Sequence, residues 1–283
     1  MPEEEVLELT PAIERLGFDG MTFPDHLFLI HGVEGKYPHS ADGKPPFSPD
    51  TPWPDALVLI GALGPMTTKL RFVTSIHVLP LRHPVILAKA AATAARLCNG
   101  RLTLGVGAGW MQDEFDAVGV DFKRRGARMS EAITVLRTLW QQGPVEHSGE
   151  FFSFPQLLME PVPPHIPIAV GGGSDAALRR TARLGDGYIM PAQPFADMPA
   201  TLERLRSALD AEGRDDSSLE IFIPCLGAPA EDILQALEPG VDNVTVMPWP
   251  HPGKETTSVS EKLEHLERYA EDTLAKLRVG VAA

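Results

Sequence analysis

His26 follows a short apolar run, residues 18–24, and stands beside Asp25. An imidazole titrates near neutrality, so at a strand end it is the first residue to consider for proton transfer. A histidine held by neighbouring backbone is the plainer reading, and the position after a strand leaves the two level. His77 lies near the end of another apolar run, residues 70–78, behind Thr74, Ser75 and Ile76. It either adds a polar group to the same site or faces the wall. A different chemistry is written at Gly171-Gly172-Gly173-Ser174, between a strand-like run and a helix-like one. A glycine turn feeding a helix turns backbone amides and the positive end of the helix dipole outward, which suits an anion and above all a phosphate. Ser174 adds a hydroxyl at the helix start. The competing reading is a tight turn and nothing more.

Residues 101–110 make the third candidate stretch, Arg-Leu-Thr-Leu-Gly-Val-Gly-Ala-Gly-Trp. Leu102, Leu104 and Val106 alternate with Thr103 and Gly105, the two-residue period of a strand. Gly105, Gly107 and Gly109 then remove side chains towards its end. Glycine weakens a strand, so it serves either a close approach or a tight turn. At the carboxyl end of a buried parallel strand the approaching group is often a flat or phosphorylated cofactor. Metal chemistry has thin support, since Asp25, His26 and His77 make a poor ligand set and no His-Glu-x-x-His occurs. Neither a Gly-x-Ser-x-Gly elbow nor a Gly-x-x-x-x-Gly-Lys-Ser/Thr loop is present.

These residues need a scaffold, and the spacing predicts one. Residues 3–16 read as a helix with Pro11 inside it, and residues 18–24 as a strand. Residues 27–52 have no periodicity and are too long for a plain connector, which marks a lid or substrate loop. A helix over 53–66, a strand over 70–78 and a helix over 84–98 follow, the last opened by Pro84 and stopped by Asn99-Gly100. After the glycine-rich strand come a polar loop over 110–125, a helix over 128–142 and an excursion over 145–165. Strands are expected at 166–170, 187–190, 219–224 and 243–247, alternating with helices at 175–184, 199–212 and 231–237. A closing helix covers 260–278. Strand-helix alternation calls for parallel strands with helical crossovers in one α/β domain spanning residues 1–283. A (β/α)8 TIM barrel begins with a strand, and here the first element is a helix, so the first barrel strand is missing or the sheet is open.

The totals narrow the partners. The chain has 283 residues, 43% of them hydrophobic, and a net charge of −13. That charge argues against a nucleic-acid partner, since phosphate contacts need a basic face. Two cysteines, Cys98 and Cys225, are too few for a disulfide framework and point to a reduced, cytoplasmic setting. The start carries no apolar leader, and no run is long enough to span a membrane.

Three runs taken together resemble the bacterial luciferase-like family: residues 16–26 ending in Pro-Asp-His, residues 101–115 with Gly-Trp-Met-Gln-Asp-Glu-Phe, and residues 169–174 with Gly185-Asp-Gly187 behind them. Within it, the Gly-Trp-x-x-x-Glu-Phe run is most similar to the branch that uses the deazaflavin coenzyme F-420. The resemblance implies a TIM barrel with the cofactor at the strand carboxyl ends. It implies a bulge at Ser75-Ile76 under the ring, often with a cis peptide. Ala108 and Gly109, with Gly107, would line the cofactor, Gly172, Gly173 and Ser174 would hold its phosphate, and Asp25 joins that set. His26 matches a position near the reacting ring carbon and is the expected catalytic residue. Trp53, His77 and Trp110 are the expected substrate wall. Trp110 stands where the family's sugar-phosphate dehydrogenases carry a glutamate, which implies a less polar substrate. The activity implied is hydride transfer between F-420 and a small organic molecule, in a homodimer. An FMN-dependent monooxygenase with a partner reductase, or a non-catalytic flavin-binding barrel, are the alternatives.

Overall fold

Short apolar runs become the barrel strands, and the amphipathic stretches between most of them become helices. The computed structural model describes residues 1–29, 37, 40, 43–45, 47–236, 241–249 and 258–277. Their order is α1 (Glu3–Arg15), β1 (Gly20–Phe23), α2 (Ala56–Leu63), β2 (Arg71–Thr74), β3 (His77–Val78), α3 (Pro84–Leu97), β4 (Leu102–Gly107), α4 (Gln112–Ala117), α5 (Arg125–Leu139), β5 (Val145–Ser148), β6 (Ser153–Leu157), β7 (Ile168–Gly171), α6 (Asp175–Leu184), β8 (Gly187–Ile189), α7 (Met198–Ala211), β9 (Glu220–Pro224), α8 (Ala230–Ala236), β10 (Asn243–Thr245) and α9 (Val259–Tyr269).

The sheet runs β1, β2, β4, β7, β8, β9, β10, with β3 on β4. All these pairs are parallel, for example Met21 beside Phe72, Gly105 beside Ala169 and Tyr188 beside Ile221. The result is a nearly closed parallel barrel, and among the described residues β1 and β10 are the ends of the path. The strand expected over 70–78 is divided at a cis Ser75–Ile76 bond. The excursion is an antiparallel hairpin, β5 with β6. Glu131 of α5 accepts the amides of Glu150, Phe151 and Phe152 and holds the hairpin tip.

Alternation sorts the side chains. Val73, Ala169, Ile189 and Phe222 come from four strands and meet in a small cluster of their own, with Ile76 against it. The larger cluster lies between the strands and the helix layer. Arg71 of β2 reaches Glu220 of β9 with two bonds, of 2.5 and 2.7 Å, and so ties distant strands of the barrel together. The closing helix α9 starts in a Ser258–Glu261 capping box and continues through a π-helical turn, Ala270–Leu274. It packs on α1, where Lys262 pairs with Glu5, and Tyr269 stacks on Phe18 between α1 and β1. No helix among the described residues is long and apolar enough to cross a membrane.

Candidate active site

β1 delivers Asp25 and His26 to the carboxyl end of the barrel, and neighbouring residues of an extended chain point opposite ways. Asp25 turns inward. Its carboxylate takes both terminal nitrogens of Arg82, at 2.5 and 2.7 Å, and the amide of Val78 at 2.9 Å. The group counted with the cofactor set is therefore engaged in fastening β1 to the segment after β2. His26 finds a different carboxylate. Its Nδ1 lies 3.0 Å from Glu114 Oε2, and Glu114 Oε1 accepts the Leu27 amide at 2.6 Å. An ionised carboxylate only accepts, so it fixes the proton on Nδ1 and leaves Nε2 for chemistry.

Glu114 was given no role from the sequence, although it sits in the Gly-Trp-x-x-x-Glu-Phe run. It lies in the first turn of α4, inside what reads as a polar loop, with its side chain 1% exposed. The next residue, Phe115, is wholly buried against Val78, Leu81 and Phe122, and that burial seats the short helix. A glutamate beside an anchored phenylalanine was the available signal.

Aromatic rings surround the imidazole. Trp53 stands edge-on at 4.9 Å between ring centroids, Trp110 edge-on at 5.8 Å and Phe47 at 5.8 Å. Tyr37 closes the group against Trp110 and Phe47. Tyr37 and Phe47 belong to the expected lid over 27–52, of which residues 30–36, 38–39, 41–42 and 46 lie outside the described residues. Trp53 Nε1 is buried and has no hydrogen-bond partner among the described residues. Trp53 and Trp110 are thus both beside His26. His77 is elsewhere: it is 1% exposed and neither ring nitrogen makes a hydrogen bond among the described residues. Its nearest charge is Asp25, 3.5 Å away, and burial pulls its pKa down to about 4. Its buried side chain presents no open face at the mouth in this structure.

The alternating glycines are used first by the chain itself. A Cβ on Gly107 would stand 2.1 Å from Ile76 Cδ1, and one on Gly171 2.8 Å from Ile76 Cγ2. A Cβ on Gly105 would meet the Thr74 carbonyl oxygen at 1.9 Å. The space that a side chain at Gly107 would take is filled by Ile76, seated from the bulge. Ala108 stays half-buried at the strand end, and Gly109 turns the chain with φ +81°.

The corner after β7 differs. Gly172 has φ +128°, its carbonyl is held by the Tyr188 hydroxyl at 3.2 Å, and Ser174 caps α6 by accepting the Ala177 amide at 3.2 Å. The first amides of a helix have no intrahelical partner, so this corner offers donors to an anion. Asp175, the acid nearest the corner, is paired with Arg204, which also donates to the Gly173 carbonyl at 3.0 Å. The donor set fits a phosphate. Among the described residues no group of three His, Cys, Asp or Glu is placed to hold a metal.

A parallel barrel with an anion corner and a buried imidazole–carboxylate pair at its strand ends carries its candidate site at the mouth where such barrels place their chemistry. The chain belongs to the luciferase-like monooxygenase family, whose model matches residues 2–279. It is 35% identical over 276 residues to an uncharacterised protein of Mycobacterium tuberculosis, covering 96% of this chain and 95% of that one. It is 32% identical over 227 residues to an F-420-dependent glucose-6-phosphate dehydrogenase of Segniliparus rotundus, covering 77% of this chain and 63% of that protein. In fold it matches an F-420-dependent secondary alcohol dehydrogenase solved with an F-420–acetone adduct, with a TM-score of 0.77 at 17% identity over 97% of this chain and 95% of that one.

Proposed function

We propose that this protein is an oxidoreductase that moves a hydride between coenzyme F-420 and an uncharged, largely apolar organic substrate. The carrying observation is the buried His26–Glu114 pair within a ring of aromatic side chains, on the same barrel mouth as the anion corner. The F-420-dependent relative supports the choice of cofactor. When bound, the deazaflavin supplies a two-electron hydride donor or acceptor, while the protein supplies position and electrostatics. Gly172, Gly173 and Ser174 would hold its phosphate. Ser75 and Ile76 would lie under its ring and Ala108 and Gly109 along its side chain, with Asp25 keeping the end of β1 in place behind them.

His26 Nε2 takes the proton of a substrate hydroxyl, or returns one to a carbonyl oxygen. Glu114 steadies the imidazolium that forms. Trp53 Nε1, a buried donor with no partner among the described residues, would be a second donor for a bound oxygen beside His26. Phe47, Trp53 and Trp110 exclude water and offer a substrate apolar surface.

Titration of the protein with F-420 and FMN side by side, read by cofactor fluorescence, tests the cofactor. F-420 is expected to bind the more tightly; FMN binding alone, with oxygen consumption when a reductase is supplied, would establish the monooxygenase instead. In His26→Asn the cofactor affinity should hold, while the single-turnover rate falls roughly 10²–10⁴-fold. An unchanged rate removes His26 from the proton path.

The working unit in this reading is a homodimer paired through α2 and α3. Every residue of α2 is apolar, Ala-Leu-Val-Leu-Ile-Gly-Ala-Leu, yet Val58 is 73% exposed, and Ile86 on α3 is 71% exposed. A helix that is apolar all round belongs in an interior.

A further inference from the structure

Gly171, Gly172 and Gly173 give the corner after β7 three successive residues without side chains, and a glycine backbone turns its peptides over at little cost. Two side chains from elsewhere in the chain hold it. Tyr188 of β8 donates its hydroxyl to the Gly172 carbonyl at 3.2 Å, and Arg204 of α7 donates Nη2 to the Gly173 carbonyl at 3.0 Å. Tyr188 is wholly buried, among Leu178 and Ala182 of α6 and Leu202 and Leu205 of α7. Both donors therefore reach the corner from the helix layer. A phenylalanine would fill the same space as Tyr188, so what the hydroxyl adds is the bond. Arg204 also takes the carboxylate of Asp175. Without that partner, an acid in the first turn of a helix is drawn to the free amides itself.

In a trans peptide the carbonyl and the next N–H point opposite ways in one plane. Among the described residues cis bonds occur only at Ser75–Ile76 and Glu160–Pro161, so both peptides of the corner are trans. A Gly172 carbonyl drawn towards the helix layer turns the Gly173 amide away from it, and the Gly173 carbonyl does the same for the Ser174 amide. Neither amide has an acceptor among the described residues, and neither do those of Asp175 and Ala176. Successive amides turned to one side make a concavity that binds anions. Their direction is set before a ligand arrives, so little ordering of the glycines is left for binding to do.

We infer that Tyr188 and Arg204 are positioning residues of the phosphate corner. They act through the carbonyls of Gly172 and Gly173 and aim the amides of Gly173 and Ser174 at a phosphate ester bound there. The inference rests on the reading of that corner given above.

Fluorescence titration of the whole protein with F-420 and with its deazaflavin nucleoside, which carries no phosphate, tests it. FMN and riboflavin make the same comparison should the protein take a flavin instead. The wild type is expected to bind the phosphorylated form about tenfold more tightly or better, the gain of hydrogen bonds to a charged group. Tyr188→Phe should cut that ratio about fivefold through the phosphorylated form alone, with the nucleoside affinity held. The cut should be the same at low and high salt, because no charge is altered. A merely structural tyrosine would weaken both forms together and leave the ratio where it was. Arg204→Met combined with Asp175→Asn keeps the net charge and changes two exposed side chains, 46% and 70% accessible. It should cut the ratio severalfold as well, and it carries the test if Tyr188→Phe does not fold. A full wild-type ratio in folded Tyr188→Phe, or in the charge-neutral pair, overturns the positioning role and leaves the phosphate corner standing. A wild type that prefers neither phosphorylated form overturns the corner and this inference with it.

Discussion

Glu114 decides what His26 is able to do. One carboxylate oxygen fixes the imidazole tautomer and the other grips the Leu27 amide, so one side chain sets both the ring and the chain behind it. Glu114→Gln keeps the shape and removes the charge. Stability should fall by about 1–2 kcal/mol, seen in the urea midpoint, while kcat drops roughly 10- to 1000-fold with cofactor affinity retained. A kcat close to the wild-type value would leave Glu114 as a packing residue. His77 makes a second prediction through pH. Its folded pKa of about 4 lies below the ordinary 6.5, so the unfolded chain binds the extra proton between those values. Stability is therefore whole above pH 6.5 and is lost as the pH falls towards 4, by about 3 kcal/mol from this group. His77→Gln should flatten that part of the curve of unfolding free energy against pH. An equally steep fall in the variant would show that other groups cause it.

At the scale of elements, the glycines of β4 divide into two kinds. Gly107 faces the end of a side chain, Ile76, whereas Gly105 faces the backbone oxygen of Thr74. Gly107→Ala should cost about 1–3 kcal/mol by overpacking, and Ile76→Ala in the same chain should return much of it, a non-additivity that a double-mutant cycle reads directly. Gly105→Ala meets a backbone oxygen that no substitution trims, as well as Ile189 Cδ1 at 2.4 Å, so it should stay destabilised in the Ile76→Ala background. Additive costs at Gly107 would dismiss the seating of Ile76. These contacts also show what the sequence holds and what it hides. The helix expected over 175–184 is α6, Asp175–Leu184, because its start signal and apolar stripe are local. The strand over 70–78 reads as continuous because alternation carries no mark of the bond at Ser75–Ile76. α4 is missed inside a polar loop because a six-residue helix is held by the burial of Phe115 rather than by its own period. The partners of His26 and Asp25 lie 88 and 57 residues away. No spacing rule reaches that far, which is why the strand ends were legible and the wiring behind them was not.

At the scale of the whole molecule, α2 and α3 present one apolar face. Ile86, Ala90, Thr93 and Leu97 follow helical spacing along α3, and Leu97 lies 3.5 Å from where a Cβ on Gly61 of α2 would be. Ordinary protein interfaces bury roughly 800 Å² on each partner, and α3, at 14 residues, offers about 21 Å of helix to one. Val58→Glu combined with Ile86→Glu should give a folded monomer by sedimentation where the wild type runs as a dimer. A wild type that sediments as a monomer at micromolar concentration would refute the pairing.

The packing of α1 on α9 sets a timetable for the chain as it is made. α1 is complete after its first few turns of synthesis, but the lysine that pairs with its Glu5 arrives 257 residues later. Until then the apolar stripe of Val6, Leu9 and Ile13 lacks the helix that packs beside it. Contacts of such long sequence separation form late, and exposed apolar surface invites association in the interval. Until α9 is made the barrel lacks this closing contact, and α1 keeps its apolar stripe open to association.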